Sequence, residues 1–152
     1  MKALTLTQPW ATLVAIGAKR IETRSWRTDY RGPLAIHAAK GPDKTGFVVT
    51  TPCYPILKNA GLEPLELPHG FVVATCELAA VYQMPSGLET FDGWHWDGPD
   101  GRLYDYELTY QEKMFGLWET GRYAWLLADV KRLPEPIPAR GSLGLWDWEP
   151  PQ

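Results

Sequence analysis

The run Phe71-Val72-Val73-Ala74-Thr75-Cys76-Glu77-Leu78-Ala79-Ala80-Val81 is the strongest strand in the chain, and it dictates what the rest must supply. A strand of this length and apolarity needs partner strands. Neither it nor any other apolar run approaches the length of a membrane span, so no membrane partner is expected. Shorter segments offer the partners. Ala3-Leu4-Thr5-Leu6, Ile21 to Trp26, Leu34 to Ala38, Tyr123 to Val130 and a closing segment within Arg140–Trp148 all read as strands. Thr7-Gln8-Pro9-Trp10 opens a helix that Gly17 ends. Thr109-Tyr110-Gln111-Glu112 has the form of a capping box and opens a second helix. Asp43 is placed to cap a short helix that Thr50-Thr51-Pro52 interrupts, and Ile56 to Ala60 suits a further helical turn. Pro134, Pro136 and Pro138 enforce an extended connection before the last strand. Fourteen Pro and fourteen Gly keep the elements short. The expected fold class is α+β: a small mixed β-barrel decorated by two or three helices, in one domain over residues 1–152. Variable excursions fall at about 42–68 and 82–107, and the second, holding Trp94-His95-Trp96, reads as a loop or lid with little regular structure.

Hydrophobic content of 45% and charged content of 22% exclude a disordered chain. Cys53 and Cys76 form no CxxC pair and read as reduced thiols, and no signal-peptide pattern opens the chain; both point to a cytoplasmic protein. His37, His69, His95 and the two cysteines have no ligand spacing, so neither a metal nor a cofactor is expected.

The charge is unevenly placed. The stretch Gly17–Lys40 carries Lys19, Arg20, Arg24, Arg27, Arg31 and Lys40 against Glu22 and Asp29, a local balance of +4 in a chain whose net charge is −3. Such an island calls for an anionic ligand, although the overall charge argues against a general polyanion binder. Strand alternation puts Glu22, Arg24 and Trp26 on one face and Ile21 and Thr23 on the other. Arg24 and Arg31 joined by Trp26 make a platform for a base and a phosphate. The plain readings are a Lys19–Glu22 ion pair, an outward Glu77, a satisfied strand histidine at His37, and core positions for most of the aromatic residues.

The blocks Leu6-Thr7-Gln8-Pro9-Trp10-Ala11, Gly17-Ala18-Lys19-Arg20-Ile21-Glu22-Thr23-Arg24-Ser25-Trp26 and Arg31-Gly32-Pro33-Leu34-Ala35-Ile36-His37-Ala38 resemble the ASCH domain. Gly70–Val81, Gly121-Arg122-Tyr123-Ala124-Trp125 and Arg140–Trp146 are similar in the same order. The resemblance implies a PUA-like fold and a cleft beside the Gly-x-Lys-x-x-Glu-x-Arg element. It implies RNA, a modified nucleoside or single-stranded nucleic acid as the partner. Small bacterial relatives resemble amidohydrolases of N4-acetylcytidine, and others are described as binding nucleic acid or cleaving RNA. In the amidohydrolase branch a Lys, a Thr three residues later and a distant Glu form the catalytic set. Lys19 matches the Lys and Glu77 the Glu, but Glu22 stands where the Thr would be. A hydrolase would therefore rest on Lys19, Glu22 and Glu77, with Glu22 as general base and Lys19 stabilising an oxyanion. A binding module would use Gln8, Trp10, Lys19, Glu22, Arg24, Trp26, Arg31, His37 and Arg140. A protein partner docked on the 82–107 loop is a third expectation.

Overall fold

The computed structural model describes residues 1–41, 52–87, 92–97 and 103–151. In chain order the elements are β1 (Lys2–Leu6), α1 (Trp10–Ala15), β2 (Ile21–Arg24), β3 (Gly32–Ala38), α2 (Cys53–Asn59), β4 (Phe71–Gln83), β5 (Gly93–Asp97), β6 (Leu103–Glu107), α3 (Tyr110–Met114), β7 (Tyr123–Pro138) and β8 (Leu145–Asp147). Six strands form one mixed sheet in the order β2-β7-β4-β3-β1-β8. Only the β1–β3 pair in it is parallel. The sheet curls into a half-barrel, α+β in class, with three short helices among the described residues. The long strand expected at Phe71–Val81 lies near its middle, flanked by β3 and β7.

One face of the curl holds the main core. Leu4 and Leu6 of β1, Leu34 and Ile36 of β3, Leu78 of β4, and Trp125 and Leu127 of β7 pack there under Ala11 and Val14 of α1. Period-two alternation accounts for this choice of residues, and it sends Ala3, Ala35 and Val72 to the other face, against Trp148. The curl also brings the ends of the sheet order together. Leu6 O accepts from Ala39 N on the β3 side, so alternation turns the Thr5 carbonyl to the other edge of β1, past the end of β8. There Arg24 of β2 fills it, Nη2 donating to Thr5 O at 2.9 Å. A side chain thus bridges where no strand pairing is available.

Three expectations need correction. The 82–107 stretch carries regular structure: β4 continues to Gln83, and β5 and β6 pair antiparallel from Gly93↔Glu107 to Asp97↔Leu103. Its Gly and Asp content hides this hairpin from a reading by composition. Gly93 is required in it, because a Cβ there would collide with the Tyr106 carbonyl. The side chains of Trp94, His95 and Trp96 lie outside the described residues, as does Asp43. Pro52, read as an interruption, instead precedes α2 as its N-cap, where a missing N–H costs nothing; Cys53 and Leu57 then pack against Leu13 and Phe115. The third correction concerns the prolines, which belong to β7 and not to a connection. Ala139 N donates to Gly70 O, so alternation aims the nitrogens of Pro138 and Pro136 away from β4, toward the unpaired edge.

Candidate functional site

Lys19 follows the end of α1, where Gly17 takes a φ of +79° and the Ala18 and Lys19 amides both donate to Leu13 O. This turn aims the Lys19 side chain inward, and the residue is 1% exposed. Its Nζ donates to Ile21 O and Phe115 O, each at 2.6 Å, and lies 3.5 Å from Glu22 Oε2. The ammonium also sits 5.5 Å from the centroid of the Trp10 ring. Two of its three protons are therefore donated to backbone carbonyls, with the Glu22 carboxylate close beside the ammonium. Glu22, with a side chain 12% exposed, receives a second cation: Arg24 Nε is 3.0 Å from Oε1. The Lys19–Glu22 ion pair of the plain reading is thus present, and it is largely buried.

Glu22 opens on a hollow of about 330 Å³, bounded by Trp10, Thr23, Phe115, Leu117 and Arg122 among others. Alternation alone puts Thr23 on the opposite face. It reaches the same hollow because β2 is an edge strand, and a cavity running along an edge touches side chains of both faces. The Thr23 hydroxyl accepts from Leu117 N at 3.0 Å and so holds the 115–117 wall in place. Gly116 belongs to that wall, and a Cβ on it would come within 2.7 Å of Thr23 Cγ2.

α3 carries the wall, and Glu112 anchors α3. Thr109 caps the helix as expected, accepting from Glu112 N at 3.2 Å. The Glu112 carboxylate does not return to complete the box. It is 3% exposed, and its Oε1 accepts from Arg20 N at 2.6 Å, tying α3 to the entrance of β2. Burial pushes this carboxyl above its ordinary pKa, against the backbone hydrogen bond from Arg20 and the nearby Lys19 charge.

Arg122 is the residue that sequence reasoning missed. It lines the hollow, its Nε is buried without a hydrogen-bond partner, and it enters no ion pair among the described residues. It lies within the Gly121–Trp125 block of the resemblance, but outside the basic island that singles out the other cations.

The other expected site residues go elsewhere. Glu77 lines a separate hollow of about 470 Å³ beside Cys76, Asp129 and Lys131, which shares none of its lining with the Glu22 hollow. A catalytic set joining Glu77 to Glu22 in one pocket is not what the geometry offers. Burial and the adjacent Glu77 push the Cys76 thiol up to about 12, which leaves it protonated and a poor nucleophile. Trp26 packs edge-on against Trp125, centroids 4.6 Å apart. Arg31 is exposed and caps its own turn through Thr28 O and Tyr30 O. Gln8 is 2% exposed and structural: Nε2 donates to Pro68 O at 2.7 Å and Oε1 accepts from Thr12 N at 3.1 Å. Among the described residues no three His, Cys, Asp or Glu side chains are grouped to hold a metal.

His37, 1% exposed, is also internally satisfied. Ala139 O can only accept, so Nε2, 3.1 Å away, carries the proton. Nδ1 then accepts from the Thr5 hydroxyl at 3.2 Å, and that oxygen accepts from Trp146 Nε1 at 3.1 Å. Burial pushes the imidazole below 6.5, with the Ala139 hydrogen bond opposing it. The unfolded chain takes up a proton that the folded one refuses, so stability falls as pH drops below 6.5 and until the lowered pKa is passed. The slope is at most about 1.4 kcal/mol per pH unit. Urea titrations of wild type and His37→Gln between about pH 5 and 7.5 check this, with the variant expected to lose that part of the slope.

The ASCH domain profile matches residues 4–135. Over 77 residues the chain is 38% identical to Activating signal cointegrator 1 of Homo sapiens, an alignment covering 49% of this chain and 13% of that protein. The Mus musculus protein of the same name is 36% identical over 77 residues, with the same shares. The chain thus spans a small part of the length of these relatives. With the match running from β1 through most of β7 and taking in Lys19, Glu22 and Arg122, the chain belongs to the ASCH domain family.

Proposed function

We propose that the Glu22 hollow binds a base or modified nucleoside of RNA. The observation that supports this most is the carboxylate itself. Glu22 is pinned between a buried ammonium and a guanidinium, yet it keeps an open side on an aromatic-walled cavity. A fixed acceptor of this kind suits the N–H donors on a base edge, as carboxylates accept from the cytosine amino group. Trp10 and Phe115, whose centroids lie 5.9 Å apart, offer apolar surface for the ring, and Arg122 offers a cation for a carbonyl or phosphate oxygen. The cavity's volume falls within the range of small-ligand sites.

Binding is favoured over hydrolysis because the Lys19 ammonium is held by Ile21 O and Phe115 O and paired with Glu22, a poor arrangement for stabilising an oxyanion. The test is affinity for single-stranded RNA and for free nucleosides, measured by fluorescence anisotropy and calorimetry. Glu22→Gln is expected to weaken binding about tenfold or more, since one good base-edge contact is worth about 1–3 kcal/mol. Equal affinity of wild type and variant for every nucleoside would dismiss the reading. Release of cytidine from N4-acetylcytidine by the wild type, lost in Glu22→Gln, would instead assign the hollow to hydrolysis.

A further inference from the structure

Besides the Glu22 and Glu77 hollows, another of about 340 Å³ lies on the other side of Thr5 from Arg24. Its floor is His37 and Thr5, and its walls are Lys40 and the loop carrying Arg140, Gly141 and Leu143. Two cations line it and, among the described residues, no carboxylate does. Among the described residues neither Lys40 nor Arg140 enters an ion pair, in a chain whose net charge is −3. Two cations with no ion-pair partner beside one cavity favour an anionic ligand there.

The cavity's shape is built and not incidental. The His37 ring holds Ala139 O through Nε2, and Gly141 lies so close to the ring that a Cβ there would collide with it and with Thr5 Oγ1. The buried histidine therefore sets the path of the loop that presents Arg140. Leu143 stands on the same loop 96% exposed, an apolar surface beside the two charges. Thr5 connects this hollow with that of Glu22: its carbonyl accepts from Arg24, the Glu22 partner, and its hydroxyl donates to His37.

We propose that this Arg140 hollow binds a backbone phosphate of a single-stranded RNA, with Lys40 and Arg140 as its cationic contacts and Leu143 against the neighbouring sugar or base. The RNA identity of the ligand rests on the reading of the Glu22 hollow. The strand then crosses the Arg24–Thr5 bridge, one nucleotide's base in the Glu22 hollow and a nearby phosphate in the Arg140 hollow. Phosphate recognition of this kind carries no sequence information; it adds affinity that declines with salt.

The experiment compares wild type, Lys40→Ala/Arg140→Ala and Glu22→Gln in binding a short mixed-sequence RNA across a salt series, and free nucleosides at one salt. For the double variant the expected result is at least a tenfold loss of RNA affinity at low salt. The slope of log K against log salt should shrink by about 0.7 for each phosphate that is no longer neutralised. Its affinity for nucleosides should be unchanged, because they carry no phosphate. RNA affinity and slope equal to wild type in the double variant would overturn the phosphate site, and would leave the base hollow standing if Glu22→Gln still weakens binding. Loss in the double variant with none in Glu22→Gln would support the phosphate site and remove the base hollow. Capture of the wild type on phosphatidylserine vesicles, with no RNA binding in any variant, would overturn the assignment to RNA.

Discussion

Replacing Lys19 with Met should cost about 3–5 kcal/mol of stability, the range found when one partner of a buried pair is removed. The methionine keeps most of the stem's volume, so a cavity is not the cause. Ile21 O and Phe115 O lose their donor, and Glu22 keeps a single cation, Arg24, in a pocket where its side chain is 12% exposed. Urea unfolding should show a lower midpoint at unchanged slope, and Tm should fall by about 10 °C. Adding Glu22→Gln should restore part of the loss, since the uncompensated carboxylate goes with it. A midpoint within experimental scatter of wild type would mean that the ammonium is not buried as described.

Trp125→Ala should be equally severe, at about 3–5 kcal/mol. Trp125 is fully buried in the main core, opposite Glu22 in the β2–β7 register and edge-on to Trp26. Trp125→Phe should cost far less, under about 2 kcal/mol. It keeps an aromatic ring in the slot and removes an indole N–H that is buried with no hydrogen-bond partner among the described residues. Chemical denaturation of the two variants side by side checks the ordering. Equal losses would show that the indole nitrogen contributes after all.

Much of this is legible from residue order because burial here follows period two. Ile21 and Thr23 are the buried residues of β2, and Leu34 and Ile36 share the main core while His37 faces away from it. The Lys19–Glu22 pairing is equally readable, lying within one turn and the strand after it. What is not readable depends on contacts distant in sequence. Nothing near Lys19 announces that Phe115 O receives it, and no local pattern says that Glu112 will serve Arg20 in place of its own helix cap. Alternation also says nothing of whether a strand is central or at an edge, which is why it sends Thr23 away from the hollow it lines. The hairpin of β5 and β6 is hidden by its Gly and Asp content. His37 and Arg140 group with the first cleft on sequence alone, although the fold sets them across Thr5 from it.

The alternating prolines near the end of β7 also bear on how the molecule behaves in company. A foreign strand laid along that margin would find carbonyl oxygens but, at Pro136 and Pro138, no amide hydrogens to receive. Pairing of another copy along that margin is thereby disfavoured through composition alone.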